Sequence, residues 1–302
     1  MPGGTVYNFP ASRYNIHCMR PPPWRREEVF FGLRHIRRFE KKGITMGKTI
    51  AITNQKGGVG KTTTAVNLTA LVADMDQKVL VIDLDPQGNT TSGLGMKCGD
   101  KSIYEVLLGR ITMRQAMQQT PWKNLTCVGS DIRLAGAELE LADLEQREYR
   151  LRTAIRTVAQ EFDFIFIDCP PSLGLLTVNA LAAAERVLIP IQCEYYALEG
   201  VTSLMNTINR VRASVNPRLD VEGVLLTMLD GRTNLGLQVV AQVKKHFKKQ
   251  VYATTIPRSV RLGEAPSHGE PIHIYDNRSA GAVAYRALAA EFLAKNGVNI
   301  SK

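Results

Sequence analysis

A short β-branched run, Thr49-Ile50-Ala51-Ile52-Thr53, leads into Lys56-Gly57-Gly58-Val59-Gly60-Lys61-Thr62-Thr63, and helical periodicity follows through Ala65, Leu68, Ala70 and Leu71. A strand that turns on glycines into a helix opens a βα unit, and this order constrains the fold more than any other stretch of the chain. Gly57, Gly58 and Gly60 allow unusual dihedrals and a close approach of backbone to ligand, and the first N–H groups of the helix point unpaired at an anion. The general phosphate-loop pattern asks for Gly, four residues, then Gly-Lys-Ser/Thr. Gly60-Lys61-Thr62 meets its second half, but Gln55 stands where the first glycine belongs, and Lys56 is one lysine more than the pattern needs. In such a loop Lys61 sits on the β- and γ-phosphates and the Thr62 hydroxyl on Mg²⁺. The competing reading is a glycine-rich turn that binds nothing.

From Thr49 onward apolar runs alternate with helical stretches. Strands are expected at 79–83, 125–128, 164–168, 187–191, 224–227 and 251–256, and helices near 62–74, 131–144, 147–160, 173–184, 198–214, 236–248 and 280–295. Several strands are apolar throughout, as strands covered on both faces are. The expected fold class is α/β: a doubly wound, mostly parallel sheet flanked by helices, with ligands outside the carboxyl ends of the strands.

Residues 1–45 differ from this pattern. They hold Pro21-Pro22-Pro23, scattered aromatics and nine Lys/Arg against three Glu, within a chain of formal net charge +10. Three readings stay open for them: an over-long start with initiation at Met46, a basic disordered arm, or an Arg-rich targeting segment. Residues 46–302 read as a single domain. No apolar run reaches 18 residues, so no membrane span is expected. The five cysteines are scattered without a Cys-x-x-Cys pair, which suggests neither zinc nor a disulfide framework and fits a reducing cytosol.

Carboxylates fall at two strand ends. Asp83 closes one apolar run and is followed by Leu84-Asp85-Pro86-Gln87-Gly88-Asn89, and Asp168 closes another before Cys169-Pro170-Pro171-Ser172. A carboxylate at the end of a buried strand needs a cation or donors. Mg²⁺ beside Thr62 is one such cation, so Asp168 reads as the acid acting on the metal or its water, with Asp83 supporting the same shell. Asp85 is placed to orient or deprotonate an attacking water. The alternative is that Asp83 and Asp85 merely begin a turn.

With Asn54-Gln55-Lys56 through Thr64, Asp83 through Asn89, Asp168 through Ser172, Glu194 through Gly200, Thr227 through Thr233 and Ile256 through Leu262, the chain resembles the ParA/Soj family of DNA-partition ATPases from about Gly47 to about Leu293. The resemblance implies that Lys56 is the signature lysine that reaches the phosphates held by the other subunit of an ATP-bound homodimer. It places Asp85 on the water-positioning aspartate of a first switch, Asp168 on the Walker B acid, and Pro257-Arg258 in the loop against which adenine packs. It also implies binding of double-stranded DNA without sequence preference through Arg232 and Arg261, and a ParB-type centromere-binding partner that stimulates slow hydrolysis. Lys244 and Lys245, in the run Lys244-Lys245-His246-Phe247-Lys248-Lys249, add charge for DNA or form a solvated helix face.

The location implied is cytoplasmic and nucleoid-associated. A MinD-like membrane-cycling ATPase is the alternative, and it calls for a basic amphipathic helix. The stretch Ala289 to Gly297 carries one lysine and disfavours it. A nucleotide-dependent carboxylate ligase on the same scaffold would need a second substrate motif, which the sequence does not display.

Overall fold

The computed structural model describes residues 47–194, 197–229 and 234–298. Eight strands form one sheet: β1 (Lys48–Ile52), β2 (Val79–Asp83), β3 (Gln118–Gln119), β4 (Leu125–Val128), β5 (Phe164–Asp168), β6 (Arg186–Gln192), β7 (Asp220–Leu229) and β8 (Val251–Pro257). Their spatial order is β3-β4-β2-β5-β1-β6-β7-β8, and every neighbouring pair is parallel except β3 with β4. The longer helices are α1 (Lys61–Asp74), α2 (Leu134–Ala142), α3 (Arg150–Arg156), α4 (Leu175–Ala183), α5 (Ala197–Ser214), α6 (Asn234–Phe247) and α7 (Ala280–Lys295). The doubly wound α/β expectation holds.

Alternation along the strands explains their unbroken apolar composition. Ala51, Leu80, Ile82, Ile165 and Ile167 join one core, and Ile50, Ile52, Val79, Val81, Phe164 and Phe166 join the other. Each face is roofed by helices, so both parities of each strand must be apolar. On the second face α7 supplies Phe292, whose ring centroid lies 5.1 Å from that of Phe164 and 5.4 Å from that of Phe166. That packing draws the apolar side of the last long helix into the core.

The sequence expectations differ from the fold mainly at helix ends. The stretches expected helical over 131–144 and 147–160 are α-helical only over Leu134–Ala142 and Arg150–Arg156, with 3₁₀ turns at Arg147–Tyr149 and Ala159–Glu161. Short helices at Asn89–Gly93, Ile103–Leu107, Met113–Ala116, Val260–Glu264 and Ile272–Tyr275, and the two-residue β3, have too few residues to show a period. Among the described residues no helix is long and apolar enough to cross a membrane.

The topology selects where a ligand can sit. Strand order reverses at β1, which lies between β5 and β6, and crevices outside the carboxyl ends form at such a switch point. Register then brings the chemistry together, because Asp168 is aligned with Ile52 on one side and with Asp83 on the other.

Candidate active site

The loop leaving β1 is pinned by the two strands next in line, β6 and β7. The Asn54 amide donates to the Pro190 carbonyl at 2.7 Å and its oxygen accepts from the Lys56 N–H at 3.1 Å, which ties the loop to β6. The Thr227 hydroxyl donates to the Val59 carbonyl at 2.8 Å, tying it to β7. Gly58 and Gly60 are left-handed, at φ 73° and 88°, a region that costs other residues strain. A Cβ on Gly57 or Gly58 would meet nothing within 4 Å, so the loop faces open space with its backbone bare.

Lys61 begins α1 and is buried, its Nζ donating to the Lys56 carbonyl at 3.3 Å. Desolvation lowers its pKa, opposed by the charges of Asp168 and, more weakly, Asp85. The Thr62 hydroxyl donates to Asp168 Oδ2 at 2.9 Å, and the Thr90 hydroxyl donates to the same oxygen at 2.7 Å. The other oxygen, Oδ1, is buried without a partner. Burial pushes the Asp168 pKa up, and the neighbouring Asp83 charge adds to this. A hydroxyl and a carboxylate in contact, with one buried carboxylate oxygen unsatisfied, are hard oxygen donors of the kind Mg²⁺ takes while keeping waters. The open glycine cradle beside Lys61 suits the phosphates that would share such an ion, so the residues present fit both groups.

Asp83 has a different set of partners. Its Oδ2 accepts from the Thr91 N–H at 2.8 Å and the Thr91 hydroxyl at 2.7 Å, and its Oδ1 accepts from the Asp85 N–H at 3.2 Å. Both oxygens hold the loop that follows β2. Burial raises its pKa first of all, and these donors hold it down. Asp85 lies in that loop, its Oδ1 accepting from the Gln87 N–H at 3.0 Å and its carbonyl from the Gly88 N–H at 3.0 Å. Gly88 is left-handed, and a Cβ there would come within 2.9 Å of the Ser130 carbonyl oxygen.

Lys56 turns toward its own chain. Its Nζ forms an ion pair with Glu194 Oε2 at 2.9 Å, and the Gln192 amide donates to the other oxygen of Glu194. Beside the loop a cavity of about 230 Å³ is lined by Gly60, Thr63, Thr227, Pro257, Arg258 and Tyr285, among others. Pro257 and Arg258 thus share one cavity with the glycine loop.

The residues expected to meet DNA are less gathered. Arg261 pairs with Glu264 at 2.9 Å and with Asp276 at 3.4 Å while remaining about half exposed. Lys244 and Lys245 are exposed in the last turn of α6, between the buried Val243 and Phe247. No contact among the described residues links these lysines to Arg261, and Arg232 lies outside the described residues, as do residues 1–45.

Thr90, Thr91 and the tie from Thr227 to the loop have no separate sequence signal. Adjacent threonines after Gly88-Asn89 look like any polar turn, and only the parallel pairing of β2 with β5 sets them beside the carboxylates.

Glycine loop, buried lysine and paired strand-end aspartates at the switch point of a parallel sheet define a P-loop nucleotide-binding protein with an added lysine at the head of its loop. A family model described as an AAA domain matches residues 47–221. The chain is 56% identical over 254 residues to the sporulation initiation inhibitor protein Soj of Bacillus subtilis, which covers 83% of this chain and 100% of that one. It is 51% identical over 261 residues to the chromosome partitioning protein ParA of Myxococcus xanthus, covering 86% and 92%. Among solved structures, cobyrinic acid a,c-diamide synthase from Mycobacterium smegmatis with bound ADP and magnesium superposes with a TM-score of 0.72 at 38% identity, covering 85% of this chain and 99% of that one. The chain belongs to the ParA/Soj family of chromosome-partitioning ATPases.

Proposed function

We propose that this protein is an ATP-driven partition switch: ATP closes a homodimer, the dimer binds double-stranded DNA without sequence preference, and partner-stimulated hydrolysis releases it. The observation that carries the reading is the contact of Thr62 with Asp168, with Asp168 Oδ1 left unpartnered, beside a glycine loop open to solvent and headed by Lys56.

Thr62 and Asp168 would hold Mg²⁺, which when bound neutralises charge on the β- and γ-phosphates. The chain's own groups do the rest. The bare N–H groups of Gly57 to Lys61 and the start of α1 receive the phosphates. Lys61, desolvated and fixed in the first turn, places its cation where charge develops, so no reorganisation is needed at the moment of transfer. Asp85 orients the water, and Pro257 and Arg258 border the base. Lys56 leaves Glu194 to reach the phosphates held by the second subunit, so ATP joins the two protomers. Asp83 acts on the reaction through Thr91, by fixing the loop that carries Asp85.

Catalysis that depends on positioning suits a switch, because a partner can complete a slow site. A ParB-type centromere-binding protein is the partner this reading names, and the protein would be cytoplasmic and nucleoid-associated. Arg232, Arg261, Lys244 and Lys245 are its DNA contacts. The MinD-like reading is less well supported, because α7 commits its large apolar side chains Tyr285, Leu288 and Phe292 to the core. A gel shift on random-sequence duplex DNA with ATP, with ADP and without nucleotide tests the proposal. Retardation should appear with ATP alone, and retardation that ignores the nucleotide would refute the switch.

A further inference from the structure

The amino ends of the strands carry a second concavity, at the opposite edge of the sheet from the glycine loop. Its volume is about 440 Å³, and four arginines line it: Arg152 and Arg156 from α3, Arg186 at the start of β6, and Arg218 just before β7. Arg152 and Arg156 are four residues apart and so share a helix face. Ala183 and Ala184 form part of the lining and leave room for a ligand of some size.

The charges here are poorly balanced. Arg186 pairs with Glu222 at 3.6 Å, and Asp220, which also lines the cavity, is taken by Arg212 at 2.8 Å. Arg152 has the Tyr149 ring at 6.0 Å, and neither it nor Arg156 nor Arg218 has a hydrogen bond or close ion pair among the described residues. Glu185 is the other lining carboxylate; burial raises its pKa while the charges of Arg186 and Arg218 act against that, so it balances part of the positive charge. Burial and then the charges of Arg156 and Arg218 lower the pKa of Arg152, so the three guanidinium groups repel one another. An unpaired cluster of this kind is destabilising unless an anion joins it, and guanidinium forks match phosphate oxygens in geometry.

We propose that this groove is a phosphate-binding site, distinct from the nucleotide loop, in which Arg152, Arg156 and Arg218 grip the phosphate group of their ligand. The ligand is either a free phosphate compound or the phosphodiester backbone of DNA. The proposal goes beyond the ATP switch and does not depend on it, because the two sites lie at opposite ends of the strands.

The test uses the full chain loaded with Mg·ADP, so that the glycine loop is filled. Inorganic pyrophosphate is titrated by calorimetry into the wild type and into the double variant Arg156→Ala/Arg218→Ala, whose altered side chains are exposed and leave the core untouched. Binding should weaken at least about 10-fold in the alanine pair and recover in part in Arg156→Lys/Arg218→Lys, with DNA-free ATP turnover unchanged in both. In a second arm, with Mg·ATP in place of Mg·ADP, affinity for random-sequence duplex is measured against salt concentration. A slope reduced by about 2 assigns the groove to the DNA backbone, and an unchanged slope together with lost pyrophosphate binding assigns it to a small phosphate compound. The proposal is overturned if the alanine pair matches the wild type in both arms.

Discussion

The two ends of the sheet handle charge in opposite ways. At the carboxyl end, two aspartates on adjacent strands are buried, yet Asp83 receives three hydrogen bonds and Asp168 receives two, leaving one oxygen without a partner. At the amino end, Arg152, Arg156 and Arg218 gather at a mouth where Glu222 and Asp220 are already engaged by Arg186 and Arg212. One end is a network of donors built around two buried carboxylates. The other is an excess of one sign. Buried networks of the first kind fix geometry and so suit chemistry, whereas partly exposed like charges suit capture of an anion.

Substitutions can separate the ends. The largest effect is expected from Lys61→Ala, which should lower ATP turnover on the order of 100-fold or more while leaving pyrophosphate binding at the amino end intact. Turnover of normal rate would remove Lys61 from the site. Lys56→Ala should keep ATP binding by the protomer and lose the ATP-dependent dimer, read by light scattering, and a dimer of normal strength would refute the role in trans.

Asp168→Asn should abolish metal-dependent turnover and also expose the strain of the paired carboxylates. Because burial raises the folded-state pKa of Asp168 above its unfolded value, the wild type is relatively most stable below the unfolded value and loses that advantage as pH rises through the folded one. The nucleotide-free variant should therefore melt above the wild type at pH 8, by roughly 2–4 °C for each 1 kcal/mol relieved, and the gap should close toward pH 5. An equal gap at both values would show that folding does not raise the pKa of Asp168. The smallest effect belongs to Glu194→Gln. It frees Lys56 from an ion pair that is partly exposed and so worth about 0–1 kcal/mol, and it should shift the dimer midpoint in ATP by only a few-fold, toward the dimer.

Much of the carboxyl end was legible in the residue order. Gly57 through Thr62 announce a cradle because few other functions call for glycines and a lysine between a strand and a helix, and Asp168 stands out as a carboxylate closing an apolar run. Its position at a strand end suggests that Asp83 supports the metal's shell, whereas the hydrogen bonds turn both its oxygens to Thr91 and Asp85. Contacts made across the sheet are not legible in this way, even where the residues belong to segments that carry the family resemblance. Thr227 meets the loop from β7 and Glu194 meets Lys56 from the end of β6, and neither is near its partner in sequence. The amino-end arginines were hidden for the same reason: Arg152 and Arg156 are ordinary charges on the outer side of a short helix until β6 and β7 bring Arg186 and Arg218 beside them.

The βα start, the parallel α/β class, the phosphate loop with its additional lysine and the acids at the strand ends follow from residue order, because they depend on local periodicity and on glycine and carboxylate chemistry at fixed spacing. The tertiary structure alone decided which of those acids kept an oxygen unpartnered, that Lys56 rests on Glu194 in the single chain, and that an arginine cluster forms at the far end. Those outcomes depend on strand order and register, and long-range pairing is not encoded in any one stretch of residues.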